Sequence, residues 1–283
     1  MKDKYFEIRI SFGKSNYEEI MNQLYMEGVE NILEENGQII LNMPEDAKEE
    51  LDSLIKTLVL SGSVKKKDIT SELLENKNWN HEWERSVEPV YISDKMIIYP
   101  SWKKDELKDH EGKILIEIDP KMSFGTGHNE TTQLVLELMS EYLEGSEQYL
   151  FDFGCGTGIL SIAGIKLGVK KALAVDIDAD SIANAKEYAK INNVHKNIKF
   201  VNGSLEAGGD EIYDIVCANI IRSVILENIE RISGMMKKGS KLFLSGILIS
   251  EDQDILEHLV QYDFEIIDMQ VSSEWIGIYA VRV

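Results

Sequence analysis

Cysteine is nearly missing from this chain. Its 283 residues hold two, Cys155 and Cys217, too few for a disulfide framework and in keeping with a reducing compartment. Long apolar runs are missing too: no stretch approaches the roughly 18 residues that cross a bilayer. The opening Met1-Lys2-Asp3-Lys4-Tyr5 lacks the apolar stretch and small-residue cleavage site of a secretory signal. A cytoplasmic protein with no membrane segment is expected. Basic charge is short, with 30 Lys and Arg against 50 Asp and Glu and a net charge of -20. Such a chain is poorly suited to gripping nucleic acid through its phosphates. The acidic surplus either serves solubility or attracts a basic partner. It is spread along the chain, so no block of like charge reads as a tail. Internal repeats and low-complexity segments are absent as well.

What is present is ordinary for a globular protein, with 43% hydrophobic and 28% charged residues. The length suits one large domain or two modest ones. Residues 4–11 alternate apolar and polar, as a strand does. Residues 16–27 place Ile20, Leu24 and Tyr25 at helical spacing. Short strands are expected near 29–34 and 38–43, around the turn Asn36-Gly37. Residues 45–60 read as a helix with Leu51, Leu54, Ile55, Leu58 and Val59 on one face. A weak strand near 64–69 completes the order β-α-β-β-α-β, the ferredoxin-like split arrangement. Residues 1–70 are therefore expected to form a small α+β domain, and 71–95 a linker. The region 71–102 holds three of the four tryptophans, Trp79, Trp83 and Trp102, and reads as a connector packed on a surface, unlike a Gly/Ser-rich floppy linker.

Residues 96–283 are expected to form a second domain. Candidate strands at 149–153, 171–176, 197–202, 212–218 and 241–246 alternate with candidate helices at 130–143, 158–167, 179–192, 222–236 and 252–261. That alternation predicts an open, mostly parallel α/β sheet with helices on both faces. Two further strands, 263–270 and 275–282, meet at Ser272-Ser273 with no helix between them, so an antiparallel hairpin is expected at one edge.

The apolar strand Tyr149–Phe153 runs straight into Gly154-Cys155-Gly156-Thr157-Gly158, and a helix follows at once. Alternating glycines let a backbone turn tightly and approach a ligand, and the helix N-terminus favours an anionic group. The dinucleotide spacing G-x-G-x-x-G/A fails here, because the sixth position is Ile159 or Ser161. G-x-G-x-G after an acidic strand end is the spacing of S-adenosylmethionine methyltransferases. Asp176 ends the next strand, where a carboxylate reaches ribose hydroxyls. Asp178 and Asp180 suit the following helix N-terminus. Asn219 ends the fourth strand, where its amide either faces the ligand crevice or caps the next helix. The loop Phe124-Gly125-Thr126-Gly127 precedes Thr131-Thr132 in a helix's first turn and is able to fold over a ligand. His128 stands alone, so no metal site is expected.

These pieces resemble the PrmA family, which methylates large-subunit ribosomal protein eleven. The matching residues are Asp119-Pro120, Phe124-Gly125-Thr126-Gly127, Thr131-Thr132, Asp152–Leu160, Val175–Asp178, Ala218-Asn219-Ile220 and Leu244–Leu248. Trp79, Trp83-Glu84-Arg85, Pro89-Val90 and Pro100-Ser101-Trp102 resemble the family's linker. The match covers residues 79–283; residues 1–70 match only by size and element order. The resemblance implies a substrate-recognising N-terminal domain and a Rossmann-like catalytic domain of seven strands. It implies transfer of methyl groups from S-adenosylmethionine to the α-amino and lysine ε-amino groups of that ribosomal protein. Cofactor contacts fall by correspondence on Thr132, Gly154, Asp176 and Asn219. Gly156 and Thr126, from the two glycine loops, complete the expected cofactor set. One departure is local: the family usually reads Thr-His where this chain has His128-Asn129.

A methyltransferase for amines must hold a neutral amine in line with a sulfonium. Lysine, with a pKa of about 10.4, is charged near neutrality. Asn219 is the expected catalytic residue, aiming the amine lone pair while water carries the proton away. Phe124 is the substrate-side candidate, as an aromatic wall for a growing ammonium. The expected enzyme is a monomer. The alternatives are a methyltransferase for another protein or a small amine, and a non-catalytic S-adenosylmethionine-binding adaptor. An NAD-dependent oxidoreductase is disfavoured by the glycine spacing.

Overall fold

The computed structural model describes residues 4–13, 16–27, 29, 32–35, 37–75, 87–120 and 125–283. The chain forms two compact units, Met1–Trp83 and Glu84–Val283. The first contains β1 (Lys4–Ser11), α1 (Tyr17–Met26), β2 (Ile32–Glu35), β3 (Gln38–Pro44), α2 (Lys48–Leu60) and β4 (Ile69–Glu75). Its sheet runs β2-β3-β1-β4, and every neighbouring pair is antiparallel. This is the ferredoxin-like order. Alternation along β1 buries Ile8 and Ile10 against Ile20 and Leu24 of α1 and Leu51, Leu54 and Leu58 of α2.

Two expectations shift. Tyr25 is 61% exposed, because the buried stripe runs through Ile20 and Leu24, four residues apart, and the next residue is rotated about 100° away. The strand expected at 64–69 lies instead at Ile69–Glu75, since the lysine run before it forms a short 3-10 turn, Lys66–Asp68. Pairing of β4 with β1 reaches Glu75, past the expected boundary at residue 70. Asn36, Trp79 and Trp83-Glu84-Arg85 lie outside the described residues.

The second unit opens with a small sheet of β5 (Val90–Ile92), β6 (Met96–Tyr99) and β7 (Ile114–Glu117), ordered β5-β6-β7. β5 falls within the span expected to be linker. Then follow α3 (Glu130–Tyr142), β8 (Tyr149–Phe153), α4 (Ile159–Lys166), β9 (Lys171–Asp176), α5 (Ala179–Ile191) and β10 (Ile198–Asn202). The series ends with β11 (Tyr213–Asn219), α6 (Arg222–Gly234), β12 (Met236–Leu248), α7 (Asp252–Gln261), β13 (Phe264–Ser272) and β14 (Trp275–Arg282). The large sheet is ordered β10-β9-β8-β11-β12-β14-β13. The strands from β10 to β12 are parallel, and β14 is antiparallel to both neighbours. The edge hairpin is as expected from the sequence. β12 is longer than expected, beginning at Met236.

Strands buried on both faces read as continuous apolar runs, and Leu150, Phe151, Phe153, Val216, Cys217 and Ala218 are all buried. The two faces pack into two separate apolar clusters under their helices. Strand order reverses direction between β8 and β11, which opens a crevice at their carboxyl ends. No helix among the described residues is long and apolar enough to cross a membrane.

Candidate active site

β8 delivers the chain into the loop Gly154–Gly158, where all three glycines have positive φ, 75°, 53° and 75°. At Gly154 a side chain would also collide, its Cβ falling 2.4 Å from Ile220 Cγ2. The loop is pinned to the next strand. The N–H groups of Gly154 and Cys155 both donate to Val175 O at 2.9 Å, and Gly156 N–H donates to Asp176 Oδ2 at 2.8 Å. Thr157 Oγ1 donates to Gly125 O, which ties in the preceding loop.

Beneath the glycines, Asp152 is fully buried. Its Oδ2 accepts from Ser161 N–H at 3.0 Å and Ser161 Oγ at 2.7 Å, at the start of α4, while Oδ1 has no partner. Burial pushes its pKa from 3.8 up to about 6; the Ser161 hydrogen bonds oppose the rise and the charge of Asp176 adds to it. Burial also pushes both thiols, Cys155 and Cys217, well above their ordinary value, so neither is poised as a nucleophile.

The strand ends surround a cleft of about 810 Å³, within the range of small-molecule sites. Gly154, Gly156 and Asp176 line one part of it, Asn219, Gly246 and Trp275 another, and His128 to Thr131 a third. Asp176 Oδ1 accepts from Asp178 N–H at 2.9 Å, so both carboxylate oxygens are held by backbone and keep further lone pairs for hydroxyl donors. Asp178 caps α5 as expected, accepting from Asp180 N–H at 3.1 Å and Ser181 N–H at 3.2 Å.

Asn219 is buried at the end of β11. Its Nδ2 donates to Thr132 Oγ1 at 3.2 Å, and its Oδ1 has no partner. The N-cap of α6 is Ile221, so the helix-capping alternative for Asn219 is not realised. Among the expected residues, Gly154, Gly156, Asp176 and Asn219 meet on the cleft. Thr132 stands behind Asn219 and does not line it. Thr126 is buried off the cleft, its Oγ1 3.4 Å from His128 Nδ1. Phe124 lies outside the described residues. His128 lines the cleft and donates from Nε2 to Glu88 O at 2.9 Å.

Sequence reasoning assigned no role to Glu130, Gly203, Ser204, Ile221 or Trp275, which also line the cleft. Gly203 and Ser204 follow the end of β10, where the strand-end rule would have found them. Trp275 carries no such signal, because it begins the antiparallel strand.

A parallel sheet in this order, with a glycine loop after its first central strand and a carboxylate ending the next, defines the class I S-adenosylmethionine-dependent methyltransferases, and the protein is an enzyme of that class. The residues present suit the cofactor: a glycine-lined wall, a backbone-held carboxylate for ribose hydroxyls, and an orphaned amide oxygen beside them. The family described as ribosomal protein L11 methyltransferase (PrmA) matches residues 4–283, and the chain belongs to it. It is 34% identical to the ribosomal protein L11 methyltransferase of Brevibacillus brevis over 243 residues, 86% of this chain and 76% of that one. It is 31% identical to the protein of the same name from Agathobacter rectalis over 270 residues, covering 91% and 82%. The crystal structure of ribosomal protein L11 methylase from Lactobacillus delbrueckii subsp. bulgaricus superposes with a TM-score of 0.64 at 30% identity, covering 69% of this chain and 99% of that chain.

Proposed function

We propose that the protein transfers methyl groups from S-adenosylmethionine to the α-amino and lysine ε-amino groups of ribosomal protein L11 in the cytoplasm. The observation that carries this reading is Asn219. It lines the cleft; its Nδ2 is committed to Thr132, which leaves the buried, unpartnered Oδ1 as the atom free to accept an N–H donor. S-adenosylmethionine, when bound, supplies an electrophilic methyl group on a sulfonium. Asp176 holds the ribose, and the Gly154–Gly156 backbone allows close approach. Asn219 Oδ1 accepts an N–H of the neutral amine and turns its lone pair toward the methyl carbon, an orientation worth far more than affinity alone. An amide is too weak a base to take the proton, which leaves to water. The first unit, which carries none of the cofactor-side residues, is assigned the choice of protein substrate.

The test is the intact mass of purified L11 after incubation with the protein and S-adenosylmethionine. The expected result is a rise in whole methyl increments, mapped to amino groups. Cofactor binding by calorimetry with no mass gain on L11 would favour the adaptor, and mass gain on small amines alone would favour a different substrate.

A further inference from the structure

Strands in a sheet lie about 4.8 Å apart, so β14, four places from β9, puts the far end of the cleft roughly 19 Å from Asp176. At that end stand Gly246, Trp275 and Glu130. Glu130 opens α3, and its Oε1 accepts from Ser273 Oγ at 2.6 Å. Ser273 is held in the left-handed region, φ 52°, at the turn of the β13–β14 hairpin. This contact joins residues 143 positions apart and fixes the carboxylate of a residue that, like Trp275, lines the cleft. The next residue, Thr131, is 5% exposed, and its Oγ1 has no partner either. Glu130, Thr131 and Asn219 all line one cleft, and Thr131 Oγ1 and Asn219 Oδ1 are buried oxygens without a partner.

An ammonium group has three N–H donors and no acceptor. We infer that Glu130, Thr131 and Asn219 form the acceptor set for the incoming substrate ammonium, and that Glu130 supplies the charge that selects a cationic amine. The inference rests on the methyl-transfer reading above. A carboxylate beside an ammonium favours the charged form, so Glu130 strengthens capture and is not the base. When the proton leaves to water, the neutral amine keeps two N–H bonds and frees its lone pair. A merely structural Glu130 would instead act on α3, as a negative charge in a helix's first turn.

The test is steady-state methylation of L11 by the full-length chain at saturating S-adenosylmethionine, with cofactor affinity measured by calorimetry. Glu130→Gln keeps an oxygen for Ser273 and removes the charge. It is expected to raise KM for L11 by about tenfold, as loss of a charged hydrogen-bond partner does, while the cofactor Kd stays within about twofold and kcat does not fall, because the bound amine loses its proton more readily without the carboxylate. It is also expected to flatten the salt dependence of kcat/KM. Glu130→Asp should recover part of the loss, and Ser273→Ala, which keeps the charge, should raise KM by less. An unchanged KM in Glu130→Gln, or an equal loss of cofactor affinity, overturns this inference alone. A wild-type protein that binds S-adenosylmethionine but leaves L11 unmethylated overturns the substrate reading and this inference with it.

Discussion

Asp176 and Asn219 face the same cleft but meet different events there. Ribose hydroxyls do not change between ground and transition state, so in the proposed reading Asp176 contributes uniform binding, which appears in KM. Asp176→Ala is expected to weaken cofactor binding by about 1.5–3 kcal/mol, the scale of charge-assisted hydrogen bonds. Calorimetry checks it, and an unchanged Kd removes Asp176 from the site. The role proposed for Asn219, aiming the amine, matters mainly in the transition state. Asn219→Ala should therefore slow single-turnover methylation at saturating cofactor, by up to about 2.7 kcal/mol, the lower end for a positioned transition-state donor. A wild-type rate there would leave Asn219 with no part in the chemistry.

Asp152 offers a different residue-scale test. Its folded pKa lies above its unfolded value, so the folded state binds the proton more tightly. Stability from this group is therefore present at low pH and declines as pH rises from about 4 to about 6, then stays flat. The rise from 3.8 to about 6 corresponds to about 3 kcal/mol. Asp152→Asn keeps an acceptor for Ser161 and cannot ionise. Urea denaturation at a series of pH values should show the variant gaining on the wild type across that window. Parallel stability curves would show that Asp152 does not titrate there.

At the scale of elements, β12 bends where the cleft needs room. Gly246 has φ 83° where the pairing with β14 shifts register between Leu244 and Ile247. A Cβ there would stand 2.4 Å from Ile220 O, a backbone atom with no freedom to yield. Gly239, in the same strand, has φ 86° but nothing within 4 Å. Both alanine variants carry the cost of positive φ, about 1–3 kcal/mol; Gly246→Ala should lose more in thermal denaturation and should also weaken cofactor binding. Equal losses would mean that the Ile220 contact constrains nothing.

The same scale shows why some of the site was legible. Glycine loop, acid and amide each end a parallel strand, and the strands are long apolar runs that a sequence displays openly. Residue spacing therefore located Gly154, Gly156, Asp176 and Asn219. The Thr132–Asn219 hydrogen bond and the Glu130–Ser273 contact join distant segments whose approach is set by strand order, which no local pattern encodes. In the first unit the apolar periodicity of α1 and α2 was clear, while the three lysines before β4 obscured where pairing begins.

For the whole molecule, the division at Trp83 and Glu84 makes a deletion test direct. A chain beginning at Glu84 keeps β5 and the Glu88 carbonyl that accepts from His128. It should bind S-adenosylmethionine with wild-type affinity yet lose methylation of L11. A folded chain of that kind that retained methylation would show that the first unit does not choose the substrate.

The position of β14 has a consequence for how the protein is made. Of the fourteen strands among the described residues it is the last in sequence, yet it lies inside the large sheet, between β12 and β13. The parallel strands that carry Gly154, Asp176 and Asn219 can pair while synthesis continues, since domains fold as their chain emerges. Until β14 inserts, β12 and β13 have no shared neighbour and Trp275 is missing from the cleft. In the proposed reading, a nascent chain whose parallel strands have paired can shelter the cofactor before Trp275 joins the cleft, and β14 acts as the closing stitch of the sheet.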